Sequence, residues 1–295
     1  MTDVWQAIGK NIAVTLDRPF FIDSRRSVGG GCINNAYVIE SDGRQYFVKL
    51  NHAAMADMFE AEAEGLREIA ATGTIKVPQP LCWGSVDDAA YLVMEYLALT
   101  GDGAAAARAL GRGLAAMHRI TGAHYGWHIN NTIGATPQVN TPGRDWAGFW
   151  QTQRLGYQLQ LAEKNGYGGR LQSSGAQLLL SVPEFFSGYT PAPSLLHGDL
   201  WSGNWAAVQD GTPVVFDPAV YYGDRETDLA MTELFGGFPP AFYQSYQADY
   251  PLDPGYKVRK THYNLYHILN HLNLFGSGYQ AQAQHMIDTL LAETR

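Results

Sequence analysis

Apolar positions recur with a period of two through much of the first hundred residues and with a helical spacing after that. Residues 20–28 read as a strand running into Gly29-Gly30-Gly31. Residues 35–40 (NAYVIE) and 45–50 (QYFVKL) flank Asp42-Gly43, which is the turn chemistry of a β-hairpin. Residues 54–71 predict a helix whose apolar face carries Met58, Ala61, Leu66 and Ile69, with Gly73 as its stop. Two more strands, 81–83 and 91–97, follow Pro78 and Pro80 and are joined by a turn at Asp87-Asp88. Helical patterns then cover 104–120, 145–165 and 171–188. Short apolar strands mark 194–217, and helices are predicted over 226–235, 239–250, 255–275 and 281–293. The pattern predicts an α+β chain with two lobes. Residues 1–97 form a small five-stranded lobe with one helix, and residues 98–295 form a larger, mostly helical lobe with a β-rich island.

Composition narrows the function classes. Hydrophobic residues make up 46% and charged residues 16%, so the chain can bury a core and is not disordered. Twenty basic against 28 acidic side chains leave a formal charge of −8, with no basic tail or stripe, which argues against a nucleic-acid partner. No run of about 20 apolar residues offers a membrane span, and the N-terminus lacks the pattern of a secretory signal. Cys32 and Cys82 are too few for a disulfide framework. A cytoplasmic enzyme acting on a small molecule is expected, as a monomer, with a dimer as the alternative.

Residues 197–204, HGDLWSGN, contain His-Gly-Asp followed by Asn at the fifth position after the Asp, and Asp217 closes the apolar strand 214–216. Phosphoryl transfer needs these residue types. One carboxylate takes or orients the proton of the attacking hydroxyl, while an amide oxygen and a second carboxylate hold Mg²⁺ against the phosphates. Such enzymes also place a lysine on the third strand, paired with a glutamate from the next helix. Lys49 stands near the end of QYFVKL, and Glu60, Glu62 and Glu64 follow on the helix. Glu62 is four residues from both Met58 and Leu66 and so shares the inward stripe. Gly29, Gly30 and Gly31 form a loop whose N–H groups could approach phosphate oxygens without a Cβ in the way.

The order of glycine loop, Lys49, helix glutamate, HGDLWSGN and Asp217 resembles the aminoglycoside and choline kinase branch of the protein-kinase-like fold. MFEAEAEGL (58–66), FDPAVYYGDRETDLAMTELFGGF (216–238) and LYHILNHLNLFG (265–276) narrow the resemblance to the fructosamine/ketosamine-3-kinases, over about residues 20–290. The resemblance implies transfer of the γ-phosphate of ATP to the 3-hydroxyl of a sugar held on an amine, free or on a protein. The phosphorylated adduct then falls apart and frees the amine. Carried onto this chain, Asp199 would be the base, Asn204 and Asp217 the Mg²⁺ ligands, Lys49 the phosphate clamp and Glu62 its partner. Glu95-Tyr96-Leu97 would be the hinge that meets adenine. The alternatives are a kinase of the same fold acting on an aminoglycoside, choline or a sugar, and a nucleotide-binding pseudokinase with a regulatory role.

Other residues admit two readings. Trp201 either stacks on a sugar or packs between lobes. Asp224 and Glu226 either start a helix or recognise the substrate's amine and hydroxyls. Asp228 is a candidate to hold the backbone around Asp199, and His197 to brace the same loop. His118 and Arg119 are expected to close a helix, where positive charge is favourable. His267 and His271 share a helix face but lack the glutamate and third ligand of a metal site, so packing or acceptor lining is expected of them. Cys32 either fills space in the glycine loop or is a redox-sensitive thiol, and Cys82 reads as core.

Overall fold

The computed structural model describes residues 3–29, 33–101 and 103–294. Its small lobe contains a helix beyond the one expected, α1 (Val4–Leu16), capped by Asp3, whose carboxylate accepts the Trp5 N–H. Only Ile8, Gly9 and Ile12 of α1 are buried, so its apolar stripe is too narrow to stand out in the sequence. After it come β1 (Ser24–Val28), β2 (Asn35–Ser41), β3 (Arg44–His52), a short 3₁₀ turn, α2 (Ala56–Ala71), β4 (Pro80–Val86) and β5 (Ala89–Glu95). The strand predicted from residue 20 begins only at Ser24, because Phe20 turns into the core against Tyr46.

The five strands form one antiparallel sheet in the order β1-β2-β3-β5-β4. The hairpin between β2 and β3 turns on Asp42 and Gly43, both with positive φ, the conformation that an Asp-Gly pair favours. Alternation along β5 divides the burial. Tyr91 and Val93 pack with Ile8 and Ile12 of α1, while Ala90, Leu92 and Met94 join the core that includes α2. Lys49 on β3 is in register with Leu92 and therefore lies on the α2 face. Cys82 belongs to the α1 side, and burial pushes its thiol up to about 12.

The larger lobe begins with β6 (Leu99–Thr100) and α3 (Ala104–Met117), followed by the hairpin β7 (Asn131–Ile133) and β8 (Thr136–Gln138), which the sequence pattern did not signal. The helix expected over 145–165 is α4 (Trp146–Trp150) and α5 (Tyr157–Lys164), joined by a π-helical stretch, Gln151–Gly156. Then come α6 (Arg170–Ser181), β9 (Ser194–Leu196), β10 (Trp205–Val208), β11 (Pro213–Val215) and β12 (Tyr221–Gly223). Helices α7 (Glu226–Leu234), α8 (Pro240–Asp249), α9 (Tyr256–Phe275) and α10 (Gln280–Glu293) complete the chain. β6 pairs with β10, and β10 with β11, while β12 pairs with β9. The two short ladders present residues 197–204 and Asp217 side by side. Among the described residues no helix is long and apolar enough to cross a membrane.

Because Ile12 is fully buried against the sheet, Ile12→Ala should lower unfolding stability by about 2–5 kcal/mol. Denaturant unfolding checks this, and an unchanged midpoint would show that α1 adds nothing to the small lobe.

Candidate active site

Lys49 lies at the meeting of the two lobes. Its Nζ is 2.6 Å from Glu62 Oε1 on α2 and 2.6 Å from Asp217 Oδ1 beyond β11. Lys49 and Glu62 are buried, whereas the Asp217 side chain is 47% exposed. Burial alone would discharge the ammonium, but the two carboxylates outweigh it and hold the Lys49 pKa above its ordinary value. Of Glu60, Glu62 and Glu64 on α2, Glu62 is the one that meets Lys49, while Glu64 turns outward to Arg67.

The segment 197–204 is braced from behind. The Asp228 carboxylate accepts the N–H of His197 at 2.7 Å and of Gly198 at 2.8 Å. His118 Nε2 lies 3.1 Å from the same carboxylate. His118 Nδ1 is 2.9 Å from the Tyr246 hydroxyl, which accepts from Arg225. His118 does end α3, but it is fully buried and its pKa is lowered, chiefly by burial, so it is neutral rather than the charged helix end expected. His197 Nε2 is 3.1 Å from the Phe216 carbonyl, and its Nδ1 accepts the Asp199 N–H, which fixes the tautomer. Gly198 has φ +82°, and a Cβ there would stand 2.0 Å from the Ala219 carbonyl oxygen, so only glycine fits.

Asp199 emerges from this frame beside Asn204, whose Nδ2 donates to the Asp199 carbonyl at 2.8 Å and to its Oδ2 at 3.3 Å. Burial first, and then the charge of Asp217, raise the Asp199 carboxyl to about 7, while the Asn204 amide works against them. That value suits a group that takes a proton near neutrality. Asp217 sits at φ +58°, a left-handed conformation uncommon outside glycine, held by main-chain bonds from Phe216 to Asn204 and from Ala219 to His197.

A divalent cation is implied by this arrangement, and the donors fit one. Asp217 keeps Oδ2 beside the oxygen on Lys49, and Asn204 keeps its amide oxygen, both hard donors. Among the described residues no group of three or more His, Cys, Asp and Glu could hold a metal. Two such oxygens would be part of the shell that Mg²⁺ completes with phosphate oxygens and water.

Two of the expected site residues lie away from this cluster. Of their two readings, Asp224 and Glu226 take the start of a helix, α7, and are fully buried in a closed polar network, which corrects the substrate-contact reading. Asp224 accepts from the hydroxyls of Tyr189 and Tyr263 and from the Glu226 N–H, while Glu226 takes a two-pronged bond from Arg259. Trp201 is 38% exposed beside Asp199, its ring lying over Gly203, where a Cβ would be 2.3 Å from it. Glu95 ends β5 with its N–H on the Gln79 carbonyl, and Tyr96 takes a bond from Arg26 before Leu97 leads into β6. Gly29 follows β1, but Gly30, Gly31 and Cys32 lie outside the described residues. The loop rejoins the sheet at Ile33 and Asn34, both bonded by Asn51. On α9, His271 Nδ1 is bonded to the His267 carbonyl and its ring packs on Phe235.

Comparison with known proteins gives a consistent result. A family model described as fructosamine kinase matches residues 4–293. A protein named as a probable ketoamine kinase in Synechocystis is 51% identical over 288 residues, covering 97% of each chain. A chloroplastic protein-ribulosamine 3-kinase of Arabidopsis thaliana is 43% identical over 268 residues, 90% of this chain and 82% of that one. A solved structure assigned to the fructosamine-3-kinases, from Haemophilus somnus, superposes with a TM-score of 0.90 at 32% identity over 97% of both chains. An aminoglycoside phosphotransferase solved with AMP-PNP and hygromycin B superposes with a TM-score of 0.68 at 15% identity, over 99% of this chain and 98% of that one, which places the fold among the kinase-like phosphotransferases.

The Asp199 environment makes a testable contribution to stability. Its folded pKa is raised from 3.8 to about 7, so the contribution is whole below about pH 4 and is lost as pH rises to about 7. Asp199→Asn, which carries no charge to bury, should gain stability over the parent as pH rises from about 5 to about 7 and keep that gain at about 8. Thermal unfolding across this range checks it, and a pH-independent difference would contradict the shift.

Proposed function

This chain belongs to the fructosamine kinase family, and we propose that it transfers the γ-phosphate of ATP to the 3-hydroxyl of a ketose carried on an amine, a ribulosamine or fructosamine. The observation that supports this most is the assembly of Lys49, Glu62, Asp199, Asn204 and Asp217, drawn from four segments of the chain, around one cleft.

In this reading Tyr96 and Leu97 offer main-chain groups to the base, and Lys49 swings part of its hydrogen bonding from Asp217 to phosphate oxygens. Asp199 accepts the proton of the acceptor hydroxyl as its oxygen bonds to the γ-phosphorus. The bond from that phosphorus to the β–γ bridging oxygen breaks, and ADP leaves. Asn204 and Asp217 would hold Mg²⁺, which would supply positive charge against the phosphates. Trp201 offers an exposed aromatic face to the sugar. Asp228, through the main chain of His197 and Gly198, keeps Asp199 in place and touches neither substrate. The phosphorylated ketosamine is less stable than its parent and releases the amine, so the reaction serves deglycation.

The test is ATP consumption with Mg²⁺ against ribuloselysine, fructoselysine, choline, kanamycin and free ribulose. Turnover on the ketosamines alone supports the reading. Turnover on choline or kanamycin alone overturns the acceptor but keeps the phosphotransfer, and nucleotide binding without turnover on any of them favours a regulatory role. Asp199→Asn should lose about 10²–10⁴-fold in kcat while still binding nucleotide, as expected for removal of a general base. Asn204→Ala should raise the Mg²⁺ concentration needed for half-maximal rate.

A further inference from the structure

Helix α2 positions Glu62, yet one whole side of it docks on the larger lobe. Positions 62, 65 and 68 are spaced by three and lie along one side of the helix. Glu62 meets Lys49, which meets Asp217. A Cβ on Gly65 would stand 2.9 Å from Val220 Cγ2 and 3.7 Å from Pro218 Cγ, so the helix backbone lies directly on the chain just beyond Asp217. At position 68 the Glu68 carboxylate accepts from Trp127 Nε1 at 2.6 Å and from the Tyr222 hydroxyl at 2.7 Å. Pro218, Val220 and Tyr222 alternate along one stretch of chain, and all three face α2.

The two partners of Glu68 form a rigid pair. Tyr222 and Gly126 exchange main-chain bonds of 2.9 Å in both directions, which fixes Trp127 beside Tyr222. The Tyr222 ring rests on Gly122, where a Cβ would be 2.9 Å from it, and Trp127 is buried. Both donors are neutral and reach a carboxylate, the stronger kind of hydrogen bond.

We infer that Glu68 is a positioning residue for phosphotransfer: by clamping α2 to Trp127 and Tyr222 it holds the helix in register with the segment carrying Asp217, so that the Glu62–Lys49–Asp217 bridge stands ready-made rather than being assembled by a helix swing. The inference rests on the phosphotransfer reading for its catalytic meaning, although the clamp itself can be measured without it.

The test compares Glu68→Ala, Glu68→Gln, Tyr222→Phe and the double variant Glu68→Ala/Tyr222→Phe with the parent. The readouts are amide hydrogen exchange across residues 56–71, calorimetric affinity for ADP with Mg²⁺, and KM for ATP and for the acceptor. Glu68→Ala should speed exchange in α2, and should weaken ADP binding and raise the ATP KM by about tenfold, the scale of losing hydrogen bonds to a charged group. The acceptor KM should stay within about twofold, since the acceptor side of the cleft is untouched. Glu68→Gln keeps an acceptor oxygen and should fall between parent and alanine variant. The double variant should be no worse than Glu68→Ala, because the Tyr222 bond is already gone. Parent-like exchange and ADP affinity in Glu68→Ala would overturn the inference, and so would equal losses in ATP and acceptor KM. The exchange measurement needs no nucleotide. It decides the clamp even if the parent failed to bind ADP, a result that would overturn the phosphotransfer reading instead.

Discussion

One ammonium group joins three parts of this protein. Lys49 comes from the central strand of the small sheet, Glu62 from the helix packed on that sheet, and Asp217 from the larger lobe. A buried lysine without partners would be expelled or neutral; with two carboxylates at 2.6 Å it remains charged and draws its partners to fixed positions. The arrangement has a direct electrostatic consequence. Three carboxylates, Glu62, Asp199 and Asp217, gather near the Lys49 ammonium, so a nucleotide triphosphate would meet repulsion unless it arrived with compensating charge. Asn204 and Asp217 are where that charge would be held, and the Asp199 pKa is raised first by burial and then by the charge of Asp217.

The frame behind the cleft is built from neutral or fully paired groups. Asp228 stays ionised in spite of burial because His118 and two backbone N–H groups satisfy it. Asp224, Glu226, Arg259 and two tyrosine hydroxyls close on one another behind it. Acidic residues a few positions apart in one motif, DRETD, thus serve different ends according to which way the α7 start turns them. Asp228 supports the loop that presents Asp199, and the others tie α7 to α9.

Much of this was legible in the sequence because the chemistry restricts the choice of residues. HGDLWSGN, Asp217 and Lys49 had few other uses at that spacing, and the inward stripe of α2 separated Glu62 from Glu60 and Glu64. The hairpin was announced by Asp42-Gly43. What escaped had local signals too weak or too general. α1 buries only two large side chains, and β7, β8 and β12 are three residues each, too short to show a period. Asp224 and Glu226 read equally as a helix start or as substrate contacts, because their partners Tyr189, Tyr263 and Arg259 come from other segments of the chain. The Glu68 clamp depends on Trp127 and Tyr222, which are 59 and 154 residues away in sequence, so only the fold brings it together.

The claim on which the rest depends is that the Lys49–Asp217 bridge organises the nucleotide phosphates and their cation as one unit. A double-mutant cycle on the affinity for ATP with Mg²⁺, using Lys49→Met, Asp217→Asn and their combination, tests it most directly. If the claim holds, the two losses will be strongly non-additive, with a coupling above about 1 kcal/mol, because each variant breaks the same unit. Losses that simply add, or affinities that none of the variants changes, would mean that the two residues act independently and that the bridge seen here has no part in binding.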